Sequence, residues 1–195
     1  MRLLLFGGFL GSGKTSTILE VAKQITEVQA ETVAIIENEI GEAGVDDKLL
    51  KTSGIEVRPL FGGCVCCQIT SDLVTAVAEI HKTINPDWLI IEMTGIAVPS
   101  KVADFIGKYH LISSIKTITI VDAGRWPELL AVLEPLMESQ IAKSDLVIIN
   151  KIDLAGFELS DTIESVKKIA GSVPLLTACA LNKLPPKVLA EVLRA

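Results

Sequence analysis

Short apolar runs alternate with amphipathic segments along the whole chain, a pattern that predicts a sheet assembled from βαβ units. The runs predict strands at Leu3 to Phe6, Thr32 to Ile36, Glu56 to Leu60, Trp88 to Glu92, Lys116 to Val121, Leu146 to Asn150 and Val173 to Thr177. Helical periodicity fills the intervals at Lys14 to Glu27, Thr70 to Ile84, Ser100 to Tyr109, Pro127 to Ala142, Asp161 to Ala170 and Pro186 to Arg194. Strands that are apolar at successive positions are buried on both faces, which requires a mostly parallel sheet under helices. The expectation is one α/β domain over residues 1–195, with about seven strands between two helical layers. Residues Asn38 to Ser53 are the longest stretch without clear period and read as a mobile functional loop.

Composition narrows the class. Of 195 residues, 49% are hydrophobic and only 4% aromatic, so the core is built from Val, Ile, Leu and Ala. A net charge of −6 argues against a nucleic-acid partner, because a phosphate backbone demands clustered Lys and Arg. No apolar run approaches the roughly 20 residues that span a bilayer, so no membrane partner is expected. Cys64, Cys66 and Cys67 lie too close together to make good disulfide partners and read as thiols in a cytoplasmic protein.

The first strand runs into Gly8-Phe9-Leu10-Gly11-Ser12-Gly13-Lys14-Thr15, a complete G-x-x-x-x-G-K-[ST] phosphate-binding loop, followed by Ser16 and a helix. A strand, a glycine turn and a helix aim successive N–H groups at one point, where the helix dipole also favours an anion. Lys14 is expected to reach the β- and γ-phosphates, and the Thr15 hydroxyl to hold Mg²⁺. This predicts a P-loop NTPase three-layer sandwich.

The fourth strand ends in Glu92-Met93-Thr94-Gly95, an acid where P-loop enzymes hold Mg²⁺ or its water. Gly95 would let a backbone N–H approach the γ-phosphate. The sixth strand ends in Asn150-Lys151-Ile152-Asp153, the N-K-x-D pattern that reads guanine. The Asp153 carboxylate would accept N1–H and N2–H₂, a donor pair adenine lacks, so bound ATP would leave it unpaired. Asn150 would support the base edge and the Lys151 stem would lie against its face. Arg58 and Arg125 are the only internal arginines, and neither occupies an obvious position to act in cis.

Between Glu37 and Asp47 stand five acids, Glu37, Glu39, Glu42, Asp46 and Asp47, an arrangement that suggests a switch ordering around metal and nucleotide. Thiolates at Cys64, Cys66 and Cys67 would bind a soft or borderline metal, zinc being the common choice. Three close cysteines do not easily fill four tetrahedral positions. A carboxylate such as Glu37 or Glu42, a water or a second chain would complete the shell.

Taken in order, GFLGSGKT, ENEIGEAGVD, GGCVCC, EMTG and NKID resemble the CobW-type GTPases of the CobW/HypB/UreG metallochaperone group. Gln140-Ile141-Ala142-Lys143-Ser144-Asp145 extends that resemblance almost to the end of the chain. It implies a GTP-binding, GTP-hydrolysing domain that binds Zn²⁺ or Co²⁺ and delivers it to a client metalloprotein or a cobalamin-related cofactor-synthesis enzyme. With no arginine in an obvious position to act in cis, slow intrinsic hydrolysis, raised by homodimerisation or by the client, is expected. Family members usually carry a further C-terminal domain and often a histidine-rich stretch. This chain holds only His81 and His110, and we expect that domain to be absent. Two other readings fit the motifs: a GTP-dependent regulatory switch with structural zinc, and a P-loop ATPase or small-molecule kinase. N-K-x-D argues against the last.

Overall fold

A computed structural model describes residues 1–37, 55–59, 69–109, 111–156, 159–181 and 183–194. Strand β1 (Arg2–Gly7) leads into α1 (Lys14–Lys23), then β2 (Val33–Glu37), β3 (Ile55–Pro59) and α2 (Ile69–Thr83). Next come β4 (Trp88–Glu92), α3 (Pro99–Ile106), β5 (Ser114–Asp122) and α4 (Trp126–Ile141). The chain continues through β6 (Leu146–Asn150), α5 (Leu159–Ala170), β7 (Leu175–Thr177) and α6 (Pro186–Leu193). The strands form one sheet in the order β3-β2-β4-β1-β5-β6-β7, and every pairing is parallel. This is the expected α/β architecture.

Strand side chains alternate between the two faces, and each face has its own core. Leu4, Phe6, Ile35, Ile90, Ile118 and Ile148 pack with Ile18 and Val21 of α1 and Val188 and Val192 of α6. On the opposite face, Leu3, Leu5, Ile36 and Ile91 meet Leu73, Val77 and Ile80 of α2. Further along that face, Val147 and Ile149 meet Trp126, Met137 and Ile141 of α4 and Val166 of α5. Continuous burial of β1, β4 and β6 is why those runs show no polar alternation.

Two helices depart from the periodic reading. The first ends its α-helical part at Lys23 and continues as a π-helical turn, Gln24–Val28. The fourth kinks at Leu133, where φ is −127° and ψ 27°, two residues before Pro135. A proline has no N–H for the preceding turn, and its ring collides with the carbonyl four residues back. No helix among the described residues is long and apolar enough to cross a membrane.

Candidate nucleotide site

Parallel strands deliver their C-terminal ends to one edge of the sheet, and the loops leaving β1, β4, β5, β6 and β7 meet there. The loop after β1 has Gly8, Gly11 and Gly13 at φ 129°, 72° and 96°, so three of its residues adopt a left-handed backbone. At Gly13 crowding adds to the constraint, since a Cβ would lie 2.2 Å from Asn150 Nδ2. Ser12 is fully buried and its Oγ has no partner, an orphaned donor in a loop suited to phosphate oxygens. Lys14 is 3% exposed, with Nζ 3.4 Å from the Phe9 carbonyl, folded over the loop. Ser16 follows on α1, half-buried.

Thr15 Oγ1 donates toward both carboxylate oxygens of Glu92, at 2.8 and 3.0 Å. A hydroxyl and a buried carboxylate in contact beside a phosphate loop are the hard oxygen donors that Mg²⁺ prefers, so the residues present fit that ion. Glu37 is the in-register neighbour of Glu92 across the β2–β4 pair, which puts a second acid at the same edge. Gly95 lies against the loop tip, where a Cβ would stand 2.7 Å from the Leu10 amide nitrogen.

The N-K-x-D segment sits beside this loop. Asn150 is 1% exposed, donates from Nδ2 to the Ser12 carbonyl at 2.8 Å and accepts the Ala180 N–H at Oδ1, also 2.8 Å. It thus joins three loops. Lys151, at φ 59°, reaches the Asp122 carboxylate at 2.9 Å, and Asp153 is exposed at the rim.

Three contributors had no site role in the sequence reading. Asp122 ends β5 as Glu92 ends β4, an apolar strand finishing in an acid, and that shared pattern was the available signal. Arg125, which has no obvious position in the sequence to act in cis, has Nη2 2.6 Å from the Leu10 carbonyl. Gln140, 2% exposed on an otherwise apolar helix face, donates from Nε2 to the carbonyls of Gly95 and Ala97, both at 2.9 Å. A single buried amide therefore holds the loop that follows Glu92.

The predicted metal residues Cys64, Cys66, Cys67 and Glu42 lie outside the described residues, as do the expected mobile loop from Asn38 to Ser53 and all of the acidic switch beyond Glu37. Among the described residues, no three His, Cys, Asp or Glu side chains cluster as metal ligands.

Known proteins place this arrangement. The chain is 29% identical over 188 residues to the zinc chaperone YjiA of Escherichia coli, matching 91% of this chain and 57% of YjiA. It is 31% identical over 155 residues to the zinc chaperone YeiR of the same organism, matching 78% of this chain and 47% of YeiR. The chain thus spans about half the length of these relatives. The crystal structure of Zn(II)-bound YjiA GTPase superposes with a TM-score of 0.70 at 24% identity, over 98% of this chain and 61% of that one. Nickel-bound HypB from Helicobacter pylori gives 0.64 at 19% identity, over 98% and 83%. These two likenesses show a shared fold. The family described as CobW/HypB/UreG, nucleotide-binding domain, matches residues 2–177. With its phosphate loop, strand-end acid and N-K-x-D loop gathered at one sheet edge, the chain belongs to the CobW/HypB/UreG nucleotide-binding-domain family.

Proposed function

We propose that this domain binds and hydrolyses GTP and couples its nucleotide state to the loading and release of a transition metal, zinc in the first instance. The contact between Thr15 and Glu92 within the edge that also holds the N-K-x-D loop carries this reading. Gly8, Gly11, Ser12, Gly13, Lys14, Thr15 and Ser16 take the phosphates. Asn150, Lys151 and Asp153 take guanine, and the Gly95 amide meets the γ-phosphate. Bound Mg²⁺, held by Thr15 and Glu92, would supply charge neutralisation on the phosphates. Lys14 contributes fixed positive charge that costs no reorganisation during reaction, and Glu92 orients the attacking water.

Zinc is cargo in this scheme. Its ligands are Cys64, Cys66 and Cys67, with Glu37 or Glu42 completing the shell. Support for coupling comes from register: Glu37 lies beside Glu92, so a metal held there is felt at the phosphate site. The names of YjiA, CobW from Sinorhizobium and a zinc-regulated GTPase metalloprotein activator from Dictyostelium support zinc over cobalt. A YjiA variant with one glutamate and two cysteines changed to alanine is also described as Zn(II)-bound. Zinc retention alone therefore does not prove binding at the cysteine motif. A client metalloprotein would receive the cargo.

The test is anaerobic metal titration with GDP and with a non-hydrolysable GTP analogue, on wild type and on Cys66→Ser/Cys67→Ser. Metal affinity that differs between the nucleotides, together with thiolate-to-cobalt absorption that the double variant loses, supports the reading. Equal affinity in both nucleotide states would leave a GTP switch whose zinc is structural.

A further inference from the structure

Asp122 closes β5 with a side chain only 2% exposed, and its carboxylate gathers three donors. The Gly124 N–H reaches Oδ1 at 3.1 Å, while Arg125 Nε and Lys151 Nζ both reach Oδ2 at 2.9 Å. Arg125 then spends its other arm on the Leu10 carbonyl, on the phosphate loop. The side chain of Arg125 is 42% exposed, so the pair with Asp122 has one wet partner and one dry one. An unbroken path therefore runs from the N-K-x-D lysine through a buried carboxylate and a guanidinium to the phosphate loop. A guanidinium can span two acceptors because its donors form a rigid planar fork; an ammonium is a single point charge.

The nucleotide is a rigid spacer between its own base and phosphates, so the two loops that grip it must keep a fixed separation. Asn150 makes one direct link between them. Building on the guanine-nucleotide reading above, we infer that Asp122 and Arg125 are positioning residues forming a second, ionic link. They lock the base-reading Lys151 to the phosphate loop, so that the loops hold guanine and phosphate in a common register. Neither residue need touch the nucleotide. Because Lys151 and Arg125 share one carboxylate oxygen, loss of either loosens what the other holds.

The experiment is a double-mutant cycle on GDP affinity with Mg²⁺ present, read by calorimetry for wild type, Arg125→Ala, Lys151→Ala and the double variant. Arg125→Lys is the conservative control. Each single alanine is expected to weaken GDP about tenfold, the scale of one charge-assisted hydrogen bond. The double variant should lose far less than the hundredfold product of two independent losses of about tenfold, because both residues act through Asp122. Arg125→Lys should stay near Arg125→Ala, since a lysine cannot span both acceptors. A merely structural arginine would lower the unfolding midpoint of the nucleotide-free protein without this coupling. GDP binding by Arg125→Ala at wild-type strength, multiplicative losses or full rescue by lysine would each overturn the clamp. Should wild type bind no GDP, the nucleotide reading falls and the clamp with it. Wild-type binding with independent losses removes the clamp alone.

Discussion

The Thr15 hydroxyl lies 2.8 and 3.0 Å from the two carboxylate oxygens of Glu92, a residue 77 positions further along the chain. Two strands paired side by side bring them together, with Phe6 opposite Glu92 in the β1–β4 register. Replacing Glu92 by Gln keeps the shape and an acceptor for Thr15 but removes the charge that would hold Mg²⁺ or orient water. GTP turnover should fall on the order of a hundredfold, the usual scale for one positioned proton-transfer or metal-holding group. GDP affinity without Mg²⁺ should change little. Turnover within a few-fold of wild type would remove Glu92 from the chemistry.

Asp153 is exposed at the rim and ready to accept from a base edge. Asp153→Asn should weaken GTP and favour XTP, whose base offers an acceptor where guanine offers a donor. The expected loss is about 1.5–3 kcal/mol, as for hydrogen bonds to a charged group. Competition among GTP, XTP and ATP is the measurement, and wild type that bound ATP as tightly as GTP would defeat the base assignment.

Gln140 fixes the loop after Glu92 through the Gly95 and Ala97 carbonyls, so it governs where the Gly95 amide can stand. Gln140→Leu fills similar volume and leaves both carbonyls without that partner, at a cost of about 1–3 kcal/mol of stability. On the proposed role of the Gly95 amide at the γ-phosphate, kcat should drop while GDP affinity holds. A variant that lost stability but kept kcat would make Gln140 a packing residue only.

At the opposite edge of the sheet, hydrogen bonds from Arg2 and the Trp88 indole hold Glu31 below the ordinary carboxylate range. The Thr32 backbone N–H, followed by its hydroxyl, does the same for Asp87. Both folded values lie below their ordinary values of 4.5 and 3.8, so their stabilisation is complete above that range. It fades as pH falls through the lowered folded values. Thermal midpoints should therefore decline in acid. Asp87→Asn should lower the neutral-pH midpoint and flatten the acid limb, and an acid limb of unchanged slope would assign the loss to other carboxylates.

Linear pattern alone determined the βαβ alternation, the element positions to within a few residues, the phosphate loop, Glu92 and the N-K-x-D loop. Each is a local arrangement: a run of buried side chains, a glycine turn or a strand-end acid is set by neighbours along the chain. The kink in α4 was local too, signalled by Pro135, although the apolar period ran past it. Tertiary structure decided what those pieces do to one another. Glu37 and Glu92 become neighbours only because β2 pairs with β4 in one register. Arg125 meets Leu10 across 115 residues because β5 lies against β1, which brings the loops at their ends together. Gln140 has no visible contact in the sequence until the α4 face bearing it covers the loop after β4. Contacts of this kind depend on sheet order, which many different pairings of the same apolar strands would satisfy in one dimension and only packing selects in three.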